Sequence, residues 1–243
     1  MKPIAFITGA TGGIGSSIAQ YFSELGYDLI LHTRRKKAEL ETFQNAHPDT
    51  HVWVLEADLT DRDATLRALK KVLHDVPKID VFIHNAGLKI DGPVETLDFA
   101  DYDAVMDVSV NSLVALLSVI APLMKASQFG RIMAISSGIG YQGRAENTSY
   151  ATAKSALNGL ISSLAKELGP FNITVNAVAP GLIPTEMTAY YNDDQVERYR
   201  QTVPLRRLAT PLDIAKACGF FASSAADFIS GQTLFVNGGT QTH

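Results

Sequence analysis

The chain has 243 residues, 46% of them hydrophobic and 19% charged, with a formal net charge of −4. That length can bury one large core, and the composition excludes wholesale disorder and collagen-like structure. Slight acidity gives no electrostatic case for nucleic acid, and the single cysteine, Cys218, can build neither an intramolecular disulfide nor a structural zinc site.

Short apolar runs at 4–7, 28–31, 52–55, 81–83, 131–135, 174–178 and 233–236 read as strands. Each is rich in Val, Ile, Leu or Phe and is bounded by turn or polar residues, as expected of a parallel sheet buried on both faces. Helical patterns fill the intervals at 13–25, 36–46, 61–76, 99–124, 150–168 and 211–222. Strand–helix alternation predicts an α/β Rossmann fold, a doubly wound parallel sheet of about seven strands with right-handed crossovers. No repeat or linker interrupts it, so 1–243 is expected to form one domain. The stretch 182–210 lacks a clear strand and is expected to hold short helices and a mobile lid over the substrate. No targeting segment is expected, and a lone cysteine suits a reducing, cytoplasmic location. The longest apolar region, 108–124, contains Asn111, three serines and Pro122. It falls short of the roughly 20 residues that a bilayer needs, so a buried helix and no membrane contact are expected.

The first strand runs into Thr8-Gly9-Ala10-Thr11-Gly12-Gly13-Ile14-Gly15, and a helix follows. Glycines there allow a tight turn and a close approach of backbone to a pyrophosphate, which then sits on the helix N-terminus. The second strand ends at Thr33-Arg34-Arg35, where an NAD site would place Asp or Glu on the ribose 2′-hydroxyl. Cations without a carboxylate favour a 2′-phosphate instead, and hence NADP(H). After the third strand, Asp58 and Leu59 precede a helix that Asp58, Thr60 or Asp61 could cap. His84-Asn85-Ala86-Gly87 follows the fourth strand, with His84 read as a turn residue.

Tyr150 and Lys154 stand four residues apart in a helical pattern and therefore share a face. A neighbouring ammonium is expected to lower the Tyr150 pKa and suit it to proton transfer near neutral pH. Ser136 and Ser137 end the fifth strand, where a doubly wound sheet places its ligand cleft. Asn111, inside an apolar helix, is expected to be buried and hydrogen-bonded.

The spacing Gly9-x-x-x-Gly13-x-Gly15 resembles that of the short-chain dehydrogenase/reductase family, most closely its bacterial 3-oxoacyl carrier-protein reductases. So do Asp58-Leu59, Asn85-Ala86-Gly87, Tyr150-x-x-x-Lys154, Pro180-Gly181-x-Ile183-x-Thr185 and the terminal segment 230–239. The resemblance spans nearly the whole chain. It implies NADPH-dependent reduction of a ketone through a tetrad of Asn111, Ser137, Tyr150 and Lys154, with Asn111 holding a relay water. Asp58 would bind adenine, and Pro180, Gly181, Ile183 and Thr185 the nicotinamide half, with Tyr150 and Lys154 also meeting the cofactor and Lys154 steadying the nicotinamide ribose. It further implies a homotetramer and a 3-oxoacyl thioester substrate of fatty-acid or polyketide synthesis. Such enzymes present basic residues to an acyl-carrier protein, but at those places this chain has Gln128 and Phe171, with Lys125 and Arg131 nearby. The alternatives are a dehydrogenase of a free secondary alcohol, sugar or steroid, and a non-catalytic nucleotide-binding regulator.

Overall fold

The computed structural model describes residues 2–241. Seven strands form one parallel sheet: β1 (Ile4–Ile7), β2 (Asp28–Thr33), β3 (Val52–Glu56), β4 (Val81–His84), β5 (Gly130–Ile135), β6 (Ile173–Pro180) and β7 (Thr233–Val236). Their order is β3-β2-β1-β4-β5-β6-β7. The chain leaves β1 in one direction and returns on its other side at β4, so a crevice opens beyond the carboxyl ends of these two strands. Strands β2 and β6 extend further than the sequence pattern suggests, and their ends, at His32, Thr33 and Pro180, line that crevice.

Helices cover both faces: α1 (Gly13–Glu24), α2 (Lys37–Ala46), α3 (Arg62–Leu73), α4 (Phe99–Met106), α5 (Ser112–Ser127), α6 (Ile139–Gln142), α7 (Thr148–Leu168), α8 (Asp193–Thr202) and α9 (Pro211–Ala222). On one face Leu69, Leu113, Leu116, Ile120, Leu157 and Ile161 pack on Phe6, Phe82 and Ile132. On the other, Ile18, Phe22, Ile214, Cys218 and Phe221 pack on Ile7, Leu29 and Ile83. Each such side chain contributes about 1.5–3 kcal/mol on full burial.

A five-residue π-helix, Asp107–Asn111, joins α4 to α5. The continuous helical run Phe99–Ser127 is therefore longer than the sequence suggests and meets the length and composition needed to cross a membrane. Its apolar residues Leu113, Leu116, Leu117, Ile120 and Met124 are fully or almost fully buried on the sheet, which makes it a core helix. The segment 182–210 holds a 3-10 turn, Glu186–Thr188, and α8.

Candidate active site

A cleft of about 1130 Å³ lies at the crevice between β1 and β4. Its floor is the glycine turn. Gly9 has φ +65°, a conformation that glycine adopts without steric cost. Its N–H donates to His32 Nδ1 at 3.0 Å. A Cβ on Gly15 would stand 2.1 Å from the Gly9 carbonyl oxygen, so the helix can start this close to the turn only with glycine there. The α1 N-terminus has no side-chain cap, whereas Asp61 caps α3 and Thr210 caps α9. Its free N–H groups and bare backbone suit a pyrophosphate. Thr11, Gly12, Gly13 and Ile14 also line the cleft.

Asn85 ties the two central strands together, with Nδ2 donating to the Thr8 and Gly9 carbonyls at 3.0 and 3.1 Å. Ala86 and Gly87 line the cleft beside it. Thr33 is buried, its hydroxyl accepting from Lys36 N at 3.1 Å. Arg34 is exposed and lines the cleft, whereas Arg35 is exposed and does not. Asp61 caps α3, and Asp58, whose Oδ1 accepts from Thr60, lines the cleft. Burial raises its pKa, but hydrogen bonds from Thr60 and the charges of Arg34 and Arg35 outweigh this and hold it below the usual value. Leu59, Pro180, Gly181, Ile183 and Thr185 complete this part of the lining.

The cradle fits a dinucleotide with an additional phosphate. Gly9, Gly13 and Gly15 leave room that a Cβ would fill, and Arg34 supplies a cation at the end of β2.

Tyr150 and Lys154 meet over the carboxyl end of β5. Lys154 Nζ lies 5.6 Å from the Tyr150 ring centroid and donates to the Ile135 carbonyl at 2.6 Å. Burial pushes its pKa down to about 8. Ser137 hydrogen-bonds the Tyr150 hydroxyl. Ser136 instead donates to the Lys154 carbonyl at 3.4 Å, as a satisfied strand-end hydroxyl. The Tyr150 pKa is raised, against the expectation from the lysine alone. Burial dominates, and the Ser137 bond and the Lys89 charge only partly offset it. The phenol therefore holds its proton at neutral pH, ready to donate it.

Asn111 does not join this group. It is exposed, donates to Asp107 Oδ1 at 2.7 Å and is absent from the cleft lining. The wide π turn changes which residues face inward, and Ser109 takes the inner position. Its side chain is buried and its hydroxyl has no hydrogen-bond partner among the described residues. Ser109 Oγ and Lys154 Nζ lie 4.0 and 3.5 Å from the same point, a Cβ built on Gly87. Of the four residues expected from sequence, the structure brings together Ser137, Tyr150 and Lys154, with Ser109 near the lysine and Asn111 apart.

Sequence reading also passed over Lys89 and Arg144, which line the cleft near Tyr150. Lys89 follows Gly87 by two residues, and that proximity to the fourth-strand motif was its only signal. At the places expected to dock a carrier protein, Gln128 is an exposed left-handed C-cap, and Phe171 is covered by Lys125 at 5.0 Å. Arg131 is buried and paired with Asp227 at 2.5 Å, so it presents no charge outward.

The family model described as enoyl-(acyl carrier protein) reductase matches residues 9–241. The chain belongs to the short-chain dehydrogenase/reductase family. It is 32% identical to the 3-oxoacyl-(acyl-carrier-protein) reductase FabG of Aquifex aeolicus, over 97% of this chain and 96% of that one. It is 34% identical to the acetoacetyl-CoA reductase of Cupriavidus necator, over 97% of both. A structure described as a putative NAD(P)-dependent gluconate 5-dehydrogenase from Beutenbergia cavernae, with bound NADP, superposes with a TM-score of 0.92. That chain is 30% identical, and the match covers 98% of this chain and 96% of the other. The chain is an oxidoreductase by this membership.

Proposed function

We propose that the protein reduces a ketone to a secondary alcohol with NADPH. The observation that carries this is the convergence of Ser137, Tyr150 and Lys154 at the cleft floor beside a glycine cradle. NADPH, when bound, supplies the hydride. Tyr150 gives its proton to the carbonyl oxygen, and Ser137 orients and polarises that oxygen. Lys154 places positive charge beside the phenol as it becomes phenolate, and it would hold the nicotinamide ribose of the bound cofactor. The segment 182–210 serves as a lid whose Ile183, Met187 and Tyr190 exclude water.

FabG and acetoacetyl-CoA reductase support a 3-oxoacyl thioester as substrate. The gluconate dehydrogenase relationship supports a free hydroxy or oxo acid as the second reading. The buried state of Arg131 and the uncharged Gln128 and Phe171 weigh against a carrier protein. Following NADPH oxidation with acetoacetyl-CoA, beside a panel of free ketones, tests this proposal. Absence of turnover on every ketone would refute it.

Homotetramer assembly and a cytoplasmic location belong to the same reading. Val114 and Leu123 are exposed on α5, and Leu234 is exposed on the edge strand β7, where other copies would cover them. The fully buried thiol of Cys218 needs no oxidising compartment.

Cofactor choice rests on Arg34. Arg34→Ala is expected to raise the Kd for NADPH about tenfold or more, the size of one charge-assisted contact, with little change for NADH. Fluorescence titration with both nucleotides checks this. Equal weakening of the two would show that Arg34 does not meet the 2′-phosphate.

A further inference from the structure

The cleft is charged unevenly. Among the described lining residues the carboxylates are Asp58 and Glu186. Asp58 follows β3, and Glu186 pairs with Lys36, beyond β2, at 3.6 Å. Both lie on the cofactor side. Lys154 and Lys89 stand beside the Tyr150 ring, and Arg144 lines the same cleft and holds Tyr191.

Lys89 Nζ lies 6.0 Å from the Tyr150 ring centroid, and its side chain is only 9% exposed. It donates to the Tyr190 hydroxyl at 2.6 Å and also pairs with Asp91. Arg144 donates to the Tyr191 hydroxyl and lies 5.4 Å from that ring. The rings of Tyr190 and Tyr191 lie 4.3 Å apart. Asp91 is the carboxylate that reaches this group, and it also acts on Arg144. Two cations thus share one anion. Each cation also gives one donor to a phenol oxygen of the segment 182–210, Lys89 to Tyr190 and Arg144 to Tyr191, and a phenol is a weaker acceptor than a carboxylate.

We propose that Lys89 and Arg144 receive a carboxylate on the ketone substrate, and that the hydroxyls of Tyr190 and Tyr191 occupy its place in the free protein. This rests on the ketone-reduction reading, takes its second substrate class in place of the thioester, and narrows that class to oxo acids whose carboxylate lies within a few bonds of the reacting carbonyl. Lys89 sets that span, since it stands beside the same ring that donates the proton. Arg144 adds a planar fork that matches two carboxylate oxygens. Substrate entry would exchange the phenol acceptors for the carboxylate and leave the tyrosine pair free to fold over the ligand. A neutral acyl chain offers these cations nothing in return for that exchange.

The test compares 2-, 3- and 4-oxo acids with their methyl esters, and with acetoacetyl-CoA, in the wild type and in Lys89→Gln and Arg144→Gln. In the wild type, kcat/KM for the best acid is expected to exceed that for its ester by about tenfold or more, the scale of one charge-assisted hydrogen bond. Each variant is expected to collapse that ratio, mainly through KM. Arg144→Gln matters most here, because Arg144 holds Tyr191, whereas Lys89 also stands beside the Tyr150 ring. Esters or acetoacetyl-CoA reduced as well as the acids would overturn the inference while ketone reduction stands. So would a ratio unchanged in both variants. If no ketone is reduced, the function reading fails, and calorimetry with the same oxo acids and the NADP-bound protein still decides the site. Binding of acid but not ester, lost in Arg144→Gln, supports it. No binding, or binding indifferent to the variant, overturns it.

Discussion

Replacing Tyr150 by Phe is expected to cut ketone reduction by about 10²–10⁴-fold, the usual contribution of a positioned general acid. The fold should survive. The ring is 9% exposed and stays packed in α7, while the lost hydroxyl frees only the Ser137 contact. Ser137 Oγ still accepts from Ile139 N at 3.2 Å, so it is not stranded. NADPH should bind the variant with near wild-type affinity, because the cradle at Gly9–Gly15 does not involve the phenol. Steady-state NADPH oxidation beside a thermal melt checks both halves. A variant that keeps near wild-type turnover would remove Tyr150 from the mechanism, and one that melts early would make the loss of activity a folding effect.

The doubly wound sheet was legible because each strand is an apolar run buried on both sides and each helix shows its own period. The glycine turn was legible too, since backbone clearance needs glycine at Gly15, where any Cβ would meet the Gly9 carbonyl. Asn111 shows where that logic stops. A polar residue in an apolar helix reads as the inward one only if the helix keeps its regular turn. The π turn Asp107–Asn111 breaks that regularity, puts Ser109 inside and leaves Asn111 outside. The Tyr150 pKa was misread for a related reason. Spacing reveals the lysine four residues on, but not the burial that outweighs it. Lys89 and Arg144 were invisible as a pair because their partners, Tyr190 and Tyr191, stand 101 and 47 residues away in the chain. Only the packing of the segment 182–210 against Lys89 and Arg144 brings them together.

Acidification is expected to weaken the fold from about pH 6.5 downward, before the carboxylates titrate, through two buried histidines. Burial pushes His84 down to about 3, helped by the charges of Lys154 and His32. Burial likewise pushes His32 to about 4, against the opposing effects of the Ala57 carbonyl and Asp58. Both stay neutral in the folded protein at pH 5, whereas in the unfolded chain each takes up a proton below its ordinary value of 6.5. The unfolded state then binds more protons, so stability falls as pH falls, beginning near 6.5 and continuing to about 4 for His32 and about 3 for His84. Each histidine subtracts about 1.4 kcal/mol per pH unit within its window. Over two units the pair removes about 5 kcal/mol, comparable with the whole stability of many domains. Asp213, held well below its ordinary value by its Arg207 partner, adds to this only nearer that value, 3.8. The loss also reaches the site. His32 Nδ1 accepts the Gly9 N–H, and its Nε2 contacts the Ala57 carbonyl at 3.0 Å. A proton on Nδ1 would break the Gly9 bond and release the turn that cradles the cofactor. Urea unfolding at pH 7 and pH 5 should therefore show a marked drop in midpoint, and His84→Gln should roughly halve it. Equal midpoints at the two pH values would show that neither imidazole is held neutral by the fold.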